Sequence, residues 1–251
     1  MPENENVGEQ RGDGGRRDRR DFGREAQMSV LSCEGLHLSY GSTLALRGVD
    51  LSVGAGESVT VVGSSGSGKS TLLHCFAGLR VPDRGEVRVG GELLSSLSDR
   101  RRSRLRLERM GVVFQFGELL PELTLEENVG LPLWVTGVSR SVVAERVGEV
   151  LDDFGIVHLA DSYPGEVSGG EKQRAAVARA LVHDPPIVLA DEPTGSLDSG
   201  NADRVMSALV NRSCRYGQAL VLVTHEMRFA ELCDRRLTIL DGEIALPRLR
   251  P

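Results

Sequence analysis

The segment Gly63-Ser64-Ser65-Gly66-Ser67-Gly68-Lys69-Ser70 fits the pattern G-x-x-x-x-G-K-[ST] at every fixed position. Its glycines let backbone N–H groups curl around phosphate oxygens without side-chain obstruction. A β-rich run, Thr60–Val62, leads in and a helical run, Ser70–Ala77, leads out, the context in which this pattern makes a phosphate loop. The helix start adds partial positive charge. In such a loop Lys69 reaches the β and γ phosphates, and the Ser70 hydroxyl ligates Mg²⁺. Lysine is otherwise scarce: only Lys69 and Lys172 stand beside abundant arginine. The loop points to a nucleoside triphosphate without saying which machine uses it.

Two further clusters could act on that triphosphate. Ile187-Val188-Leu189-Ala190-Asp191-Glu192 is an apolar strand ending in two carboxylates. Neighbours on a strand face opposite ways, but a chain leaving the strand can bring both acids near the phosphates. Asp191 is then placed to hold Mg²⁺, and Glu192 to take a proton from an attacking water. An acid pair at a strand end is also common without any such role. Val167-Ser168-Gly169-Gly170-Glu171 precedes the helical run Lys172–Leu181. Its glycines allow close approach to an anion at a helix start, yet Ser-Gly-Gly alone is an ordinary cap.

Taken together, these segments resemble the ABC ATPase family, with Val167–Glu171 continuing into Gln173-Arg174 as the signature segment. The resemblance implies that the signature binds the γ-phosphate held by a second subunit. Two copies, or this chain and a similar ATPase, would then sandwich ATP and Mg²⁺. It places Gly63, Ser64, Ser65, Gly66, Ser67, Gly68, Lys69, Ser70 and Thr71 around the nucleotide of their own copy. Ser168, Gly169 and Gly170 would meet the partner's nucleotide. Gln115, after Gly111-Val112-Val113-Phe114, matches the glutamine that approaches Mg²⁺ and water, so the implied metal contacts are Ser70, Gln115 and Asp191. Ser196-Leu197-Asp198 matches the loop that crosses the dimer interface, and His225 the histidine that touches the γ-phosphate. Catalysis would fall to Glu192, His225 and Gln115. Tyr40 matches the aromatic that stacks on adenine. Without the resemblance, His225 reads as a surface residue and Tyr40 as a core tyrosine on an edge strand. Two departures are mild: Val167 replaces the commoner leucine, and Glu226 follows His225 where aspartate is usual.

Two stretches narrow the branch. Phe114-Gln115-Phe116 with Leu119-Leu120-Pro121, Leu123-Thr124, Glu126–Val129 and Leu131-Pro132-Leu133 is one; Leu189 through Asp198 is the other. They look like the subgroup of lipoprotein-release, macrolide-export and FtsE-type ATPases, whose partners are integral membrane permeases with large extracytoplasmic domains. The implied task is mechanical: closure on ATP pulls on the permease, and hydrolysis releases it. A regulatory module that signals through a permease-like partner to an envelope enzyme, moving no cargo, fits the same residues. Phe116, Leu119, Leu120 and Leu123 could line a groove for the permease or form the core of a helical lobe. A soluble DNA-repair relative is disfavoured, because the interval between Ser70 and Ser168 is too short for a long coiled coil.

The elements that must position these groups follow from the pattern. From Val30 to Val62 short strands are expected, broken at Gly41, with Gly85–Val89 another and Gly90-Gly91 a hairpin turn. Asp99–Arg109 carries six arginines and reads as a solvated helix; Ser141–Phe154 is amphipathic and stopped by Gly155. Then Gly170–Val182 helix, Ile187–Ala190 strand, Asn201–Asn211 helix and Ala219–Thr224 strand alternate, the mark of a parallel sheet flanked by helices. The expected fold is α/β: a P-loop NTPase core with an antiparallel β subdomain and a helical subdomain over about 116–167, as the resemblance implies. Residues 28–251 form the ATPase domain, residues 1–27 a disordered charged tail, and Met28 is a candidate start.

Composition sets outer limits. The formal charge of −6 disfavours a nucleic-acid coat, which needs a basic surface. Cys33, Cys75, Cys214 and Cys233 are scattered without a C-x-x-C pair, as suits isolated thiols in a reducing compartment. No apolar run approaches the roughly 18 residues of a membrane span. Arg19-Arg20-Asp21-Phe22 echoes an export signal but lacks the apolar segment that should follow. The expected place is the cytoplasmic face of the cell membrane, held there by the permease.

Overall fold

The computed structural model describes residues 29–115, 118–195 and 197–245. The expected tail, the candidate start at Met28, Phe116 and Ser196 lie outside them. Among the described residues the strands form two sheets. One is antiparallel, in the order β2 (Thr43–Val53), β1 (Leu31–Tyr40), β4 (Arg84–Val89), β5 (Glu92–Leu93). The other runs β10 (Glu243–Ala245), β9 (Arg235–Leu240), β3 (Ser58–Val62), β8 (Ala219–Val223), β7 (Ile187–Asp191), β6 (Met110–Val113). All its pairings are parallel except β9 with β10.

The parallel strands are apolar throughout because both their faces are covered. Ile187, Leu189, Val221 and Val223 enter a core shared with the antiparallel sheet, while Val188, Ala190, Leu220 and Leu222 enter a second core on the opposite face. The helix α1 (Lys69–Phe76) lies in the first core, with Leu72, Leu73, Cys75 and Phe76 buried. Burial pushes the Cys75 thiol up to about 12 and the Cys33 thiol up as well, so both behave as apolar filling. The second core is roofed by α3 (Leu125–Val135), α4 (Arg140–Asp153), α5 (Gly169–Leu181) and α6 (Ser199–Arg215). Buried Arg212 of α6 pairs with Asp153 at the end of α4 and, at 3.1 Å, with Asp184 ahead of β7.

Four expectations change. The strands β1 and β2 are 10 and 11 residues long, carried past Gly35 by register shifts. Strand β1 is interior in its sheet rather than an edge strand, although beyond His37, at Tyr40, it pairs with β2 alone. The arginine-rich helix α2 (Asp99–Arg109) is docked as well as solvated: Leu105 is buried and Arg106 donates to the Ala77 carbonyl at 3.0 Å. Finally, α6 begins at Ser199 and continues to Arg215, beyond the expected end.

Candidate functional site

The phosphate loop joins β3 to α1 at the carboxyl end of the parallel strands, where ligands of such sheets gather. Glycine is required at two places. Gly68 caps α1 at φ 105°, and a Cβ there would collide with the Ala45 carbonyl; one on Gly63 would collide with the Ile239 carbonyl. Lys69 is 5% exposed, and its Nζ donates to the Gly63 and Ser64 carbonyls, each at 2.9 Å. The ammonium is thus folded back into the loop's own curve. Ser67 Oγ is buried with no hydrogen-bond partner, a polar atom that a bound phosphate oxygen would satisfy.

Across the loop stands the end of β7. Ser70 Oγ donates to Asp191 Oδ1 at 3.0 Å. Burial raises the Asp191 carboxyl, while the Ser70 hydrogen bond works against that rise and the Glu192 charge adds to it. A desolvated carboxylate touching a hydroxyl is a donor pair suited to a divalent cation. Glu192 then takes φ 43°, in the left-handed region. That turn is how two consecutive acids escape the strand's alternation. The Glu192 N–H still donates to Val223 O at 2.9 Å, while its carboxylate Oε2 lies 2.7 Å from His225 Nδ1. In such a contact a carboxylate accepts from a ring nitrogen that carries a proton.

Gln115 is brought against the same turn, since a Cβ on Gly195 would lie 3.4 Å from its Nε2. Thr194, buried in that turn, donates to Glu226 Oε1 at 3.2 Å. The glutamate that departs from the family pattern therefore ties the His225 loop to the Glu192 loop. Tyr40 is 43% exposed with the Arg80 guanidinium 5.6 Å from its ring centroid, a surface platform rather than a core residue.

The signature segment stands apart from this cluster. Ser168 caps α5 in a capping box: its Oγ accepts the Glu171 N–H at 3.3 Å, and Glu171 Oε2 accepts the Ser168 N–H at 2.8 Å. Ser168 and Gly169 are exposed and Gly170 is half-buried. Among the described residues no hydrogen bond joins Ser168–Gly170 to the phosphate loop of the same copy. Asp198 caps α6, accepting the Asn201 N–H at 3.0 Å.

The comparisons with known proteins bear on this arrangement. The family described as ABC transporter matches residues 46–195. This chain belongs to the ABC transporter ATPases. Similar relatives include the lipoprotein-releasing system ATP-binding protein LolD of Bacteroides fragilis, 42% identical over 86% of this chain and 100% of its own length. LolD of Xanthomonas oryzae pv. oryzae is 44% identical over 88% and 92%. Among solved structures, the dimeric post-hydrolysis state of an ATP-binding cassette bound to ADP and Pi has TM-score 0.81 and 35% identity, covering 88% of this chain and 99% of its own. A dimeric bacterial ABC transporter cassette gives 0.82 with the same identity and coverage. Membership of the ABC transporter ATPases brings ATP binding and hydrolysis.

Several polar residues around this ABC cassette were not singled out from sequence. Thr194, Asp203 and Arg228 join Glu226: Arg228 pairs with Glu226 at 2.8 Å and with Asp203 at 2.6 Å. Asn201 links Asp198 to Arg174. Polar side chains on separate elements leave no periodic trace, so only their co-location identifies them.

Proposed function

We propose that two copies close head to tail around two ATP molecules and that this closure drives an integral membrane permease. The observation that carries the reading is the separation of the half-sites. Each copy has a phosphate loop, with Ser67 and Lys69 buried, facing an acid pair, and elsewhere an exposed, capped helix start at Ser168–Gly170. Among the described residues the Gly169 and Gly170 N–H groups of that start have no hydrogen-bond partner, and such groups at a helix N-terminus are suited to an anion brought by another copy. The dimeric cassettes at 35% identity support that geometry. The LolD relatives favour a lipoprotein-releasing system, with this chain on the membrane's cytoplasmic side; no helix among the described residues is long and apolar enough to cross a membrane.

Within the closed site Lys69, Ser67 and the loop N–H groups hold the phosphates. Ser70, Asp191 and Gln115 would hold Mg²⁺, which supplies charge neutralisation on the β and γ phosphates. Glu192 Oε atoms take the proton of the attacking water, and His225 holds that carboxylate in place. Ser168 and the Gly170 N–H of the partner copy face the γ-phosphate, with Asp198 at the seam. Tyr40 stacks on adenine. The half-exposed Leu119 and Leu123 and the exposed Leu120, just beyond Gln115, give the permease an apolar footing.

The test is sedimentation of the Glu192→Gln variant. With ATP it should form a dimer holding two nucleotides, and without ATP a monomer. A monomer at saturating ATP overturns the sandwich.

A further inference from the structure

Asn201 lies in the first turn of α6, three residues past the Asp198 cap, and reaches two ways. Its Nδ2 donates to Asp198 Oδ2 at 2.6 Å. Its Oδ1 accepts from Arg174 Nη1 at 3.2 Å. Arg174 belongs to α5, one turn beyond the Ser168–Gly170 start. Gly170 packs so close that a Cβ on it would lie 3.3 Å from Asn201 Nδ2. Arg174 has few other acceptors: its Nε is buried with no partner among the described residues, and Nη2 stops 4.0 Å from Glu171. A single amide therefore ties the α5 start to the Asp198 loop, donating to one and accepting from the other.

We propose that Asn201 is a positioning residue for the half-site that each copy lends to its partner. It holds Ser168–Gly170 and Asp198 as one body, so that both arrive in register on the opposite nucleotide. The proposal rests on the ATP-sandwich reading. An amide is the group that fits: it offers a donor and an acceptor at one position and carries no charge beside the Asp198 carboxylate. The link is separable from the helix cap. Asp198 Oδ1 accepts the backbone N–H of position 201, which Asn201→Ala retains while deleting both side-chain arms.

The experiment compares Glu192→Gln with Glu192→Gln/Asn201→Ala by ATP-dependent sedimentation, and wild type with Asn201→Ala by steady-state turnover. Binding of a fluorescent ATP analogue is measured on the dilute, monomeric proteins. Asn201→Ala should leave monomer affinity unchanged, because its own phosphate loop is intact. Dimerisation should weaken about tenfold and kcat fall about 10- to 100-fold, the scale expected when a reacting group is misplaced by about 1 Å. Adding Arg174→Ala should cost no more than the worse single change, since both break one link. A Glu192→Gln protein that fails to dimerise would sink the sandwich reading itself. If it dimerises, and the double variant does so as tightly with Asn201→Ala turning over at the wild-type rate, the role of Asn201 is overturned. Should Asn201→Ala fail to fold, Asn201→Asp replaces it: the Arg174 acceptor stays, a like charge faces Asp198, and undiminished dimerisation again overturns the proposal.

Discussion

His225 Nδ1 lies 2.7 Å from Glu192 Oε2, and Glu192 makes that contact from a backbone held at φ 43°. The left-handed turn costs about 1–2 kcal/mol for a residue with a Cβ, so the acid occupies its place at the expense of local strain. Glu192→Gln should cut hydrolysis about 10²–10⁴-fold, as expected for loss of a general base. Glu192→Gly should abolish turnover just as fully, yet raise the thermal midpoint, because glycine adopts this φ freely. Turnover and thermal unfolding on the same two variants check both statements; a lower midpoint for the glycine variant would show that the turn is unstrained.

Lys69 is the one phosphate-loop side chain already engaged with the loop's own carbonyls, at Gly63 and Ser64. Lys69→Ala should abolish productive ATP binding, measured by equilibrium titration. Lys69→Arg should fare little better, because a planar guanidinium does not fit where a compact ammonium is enclosed by two carbonyls. Wild-type affinity in either variant would remove Lys69 from the phosphate site.

If each site is made by two copies, defects on opposite halves complement. Lys69→Ala damages the phosphate-loop half-site, and Ser168→Arg blocks the half-site at the α5 start. Alone, each variant should be inactive. Mixed, a heterodimer combines one intact phosphate loop with one intact Ser168–Gly170 start, and ATPase activity should reappear. No recovery over a range of mixing ratios would place both halves in a single copy.

The parts of this cassette that are legible in sequence are those where backbone geometry or double burial dictates residue type. Gly63 and Gly68 are fixed by carbonyls that would strike a Cβ, and the continuous apolar runs of β7 and β8 follow from cores on both faces. Helix α3 was opaque for the opposite reason. It contains Gly130 and Pro132, and its exposed side carries Trp134 and Val135, so it has neither helical composition nor a polar face. Its capping box, Thr124 with Glu127, was the available sign. The register shifts near Gly35 break the alternation that would have shown β1 as a long interior strand. The Asn201–Arg174 and Glu226–Thr194 links join elements distant in sequence, and only the folded chain brings them together.

Tyr40 is exposed at the end of β1 beside Arg80, open to a base. Tyr40→Ala should weaken ATP by about 1–3 kcal/mol, by analogy with base stacking on aromatic side chains, while Tyr40→Phe should bind like wild type. Inorganic tripolyphosphate, which has no base, should bind all three equally. A loss for tripolyphosphate as large as for ATP would make Tyr40 a structural residue.

Glu171 gives the signature helix a pH signature of its own. The Ser168 hydroxyl and N–H both donate to its carboxylate, at 2.7 and 2.8 Å, and hold that carboxyl below the usual range. A depressed folded-state pKa means the cap's contribution is complete above the ordinary glutamate value of about 4.3 and fades as pH falls through the lower folded value. Glu171→Ala should cost about 1 kcal/mol at neutral pH, lowering the thermal midpoint by roughly 2–4 °C in a chain of this size. That deficit should shrink as pH falls through the depressed folded-state value, where wild-type Glu171 becomes protonated. Glu171→Gln keeps an acceptor for the box and should show a midpoint that lacks this pH-dependent component. Thermal unfolding of the three proteins across that range decides it: a deficit in Glu171→Ala that stays constant with pH would mean the Ser168 hydrogen bonds do not distinguish the ionised carboxylate.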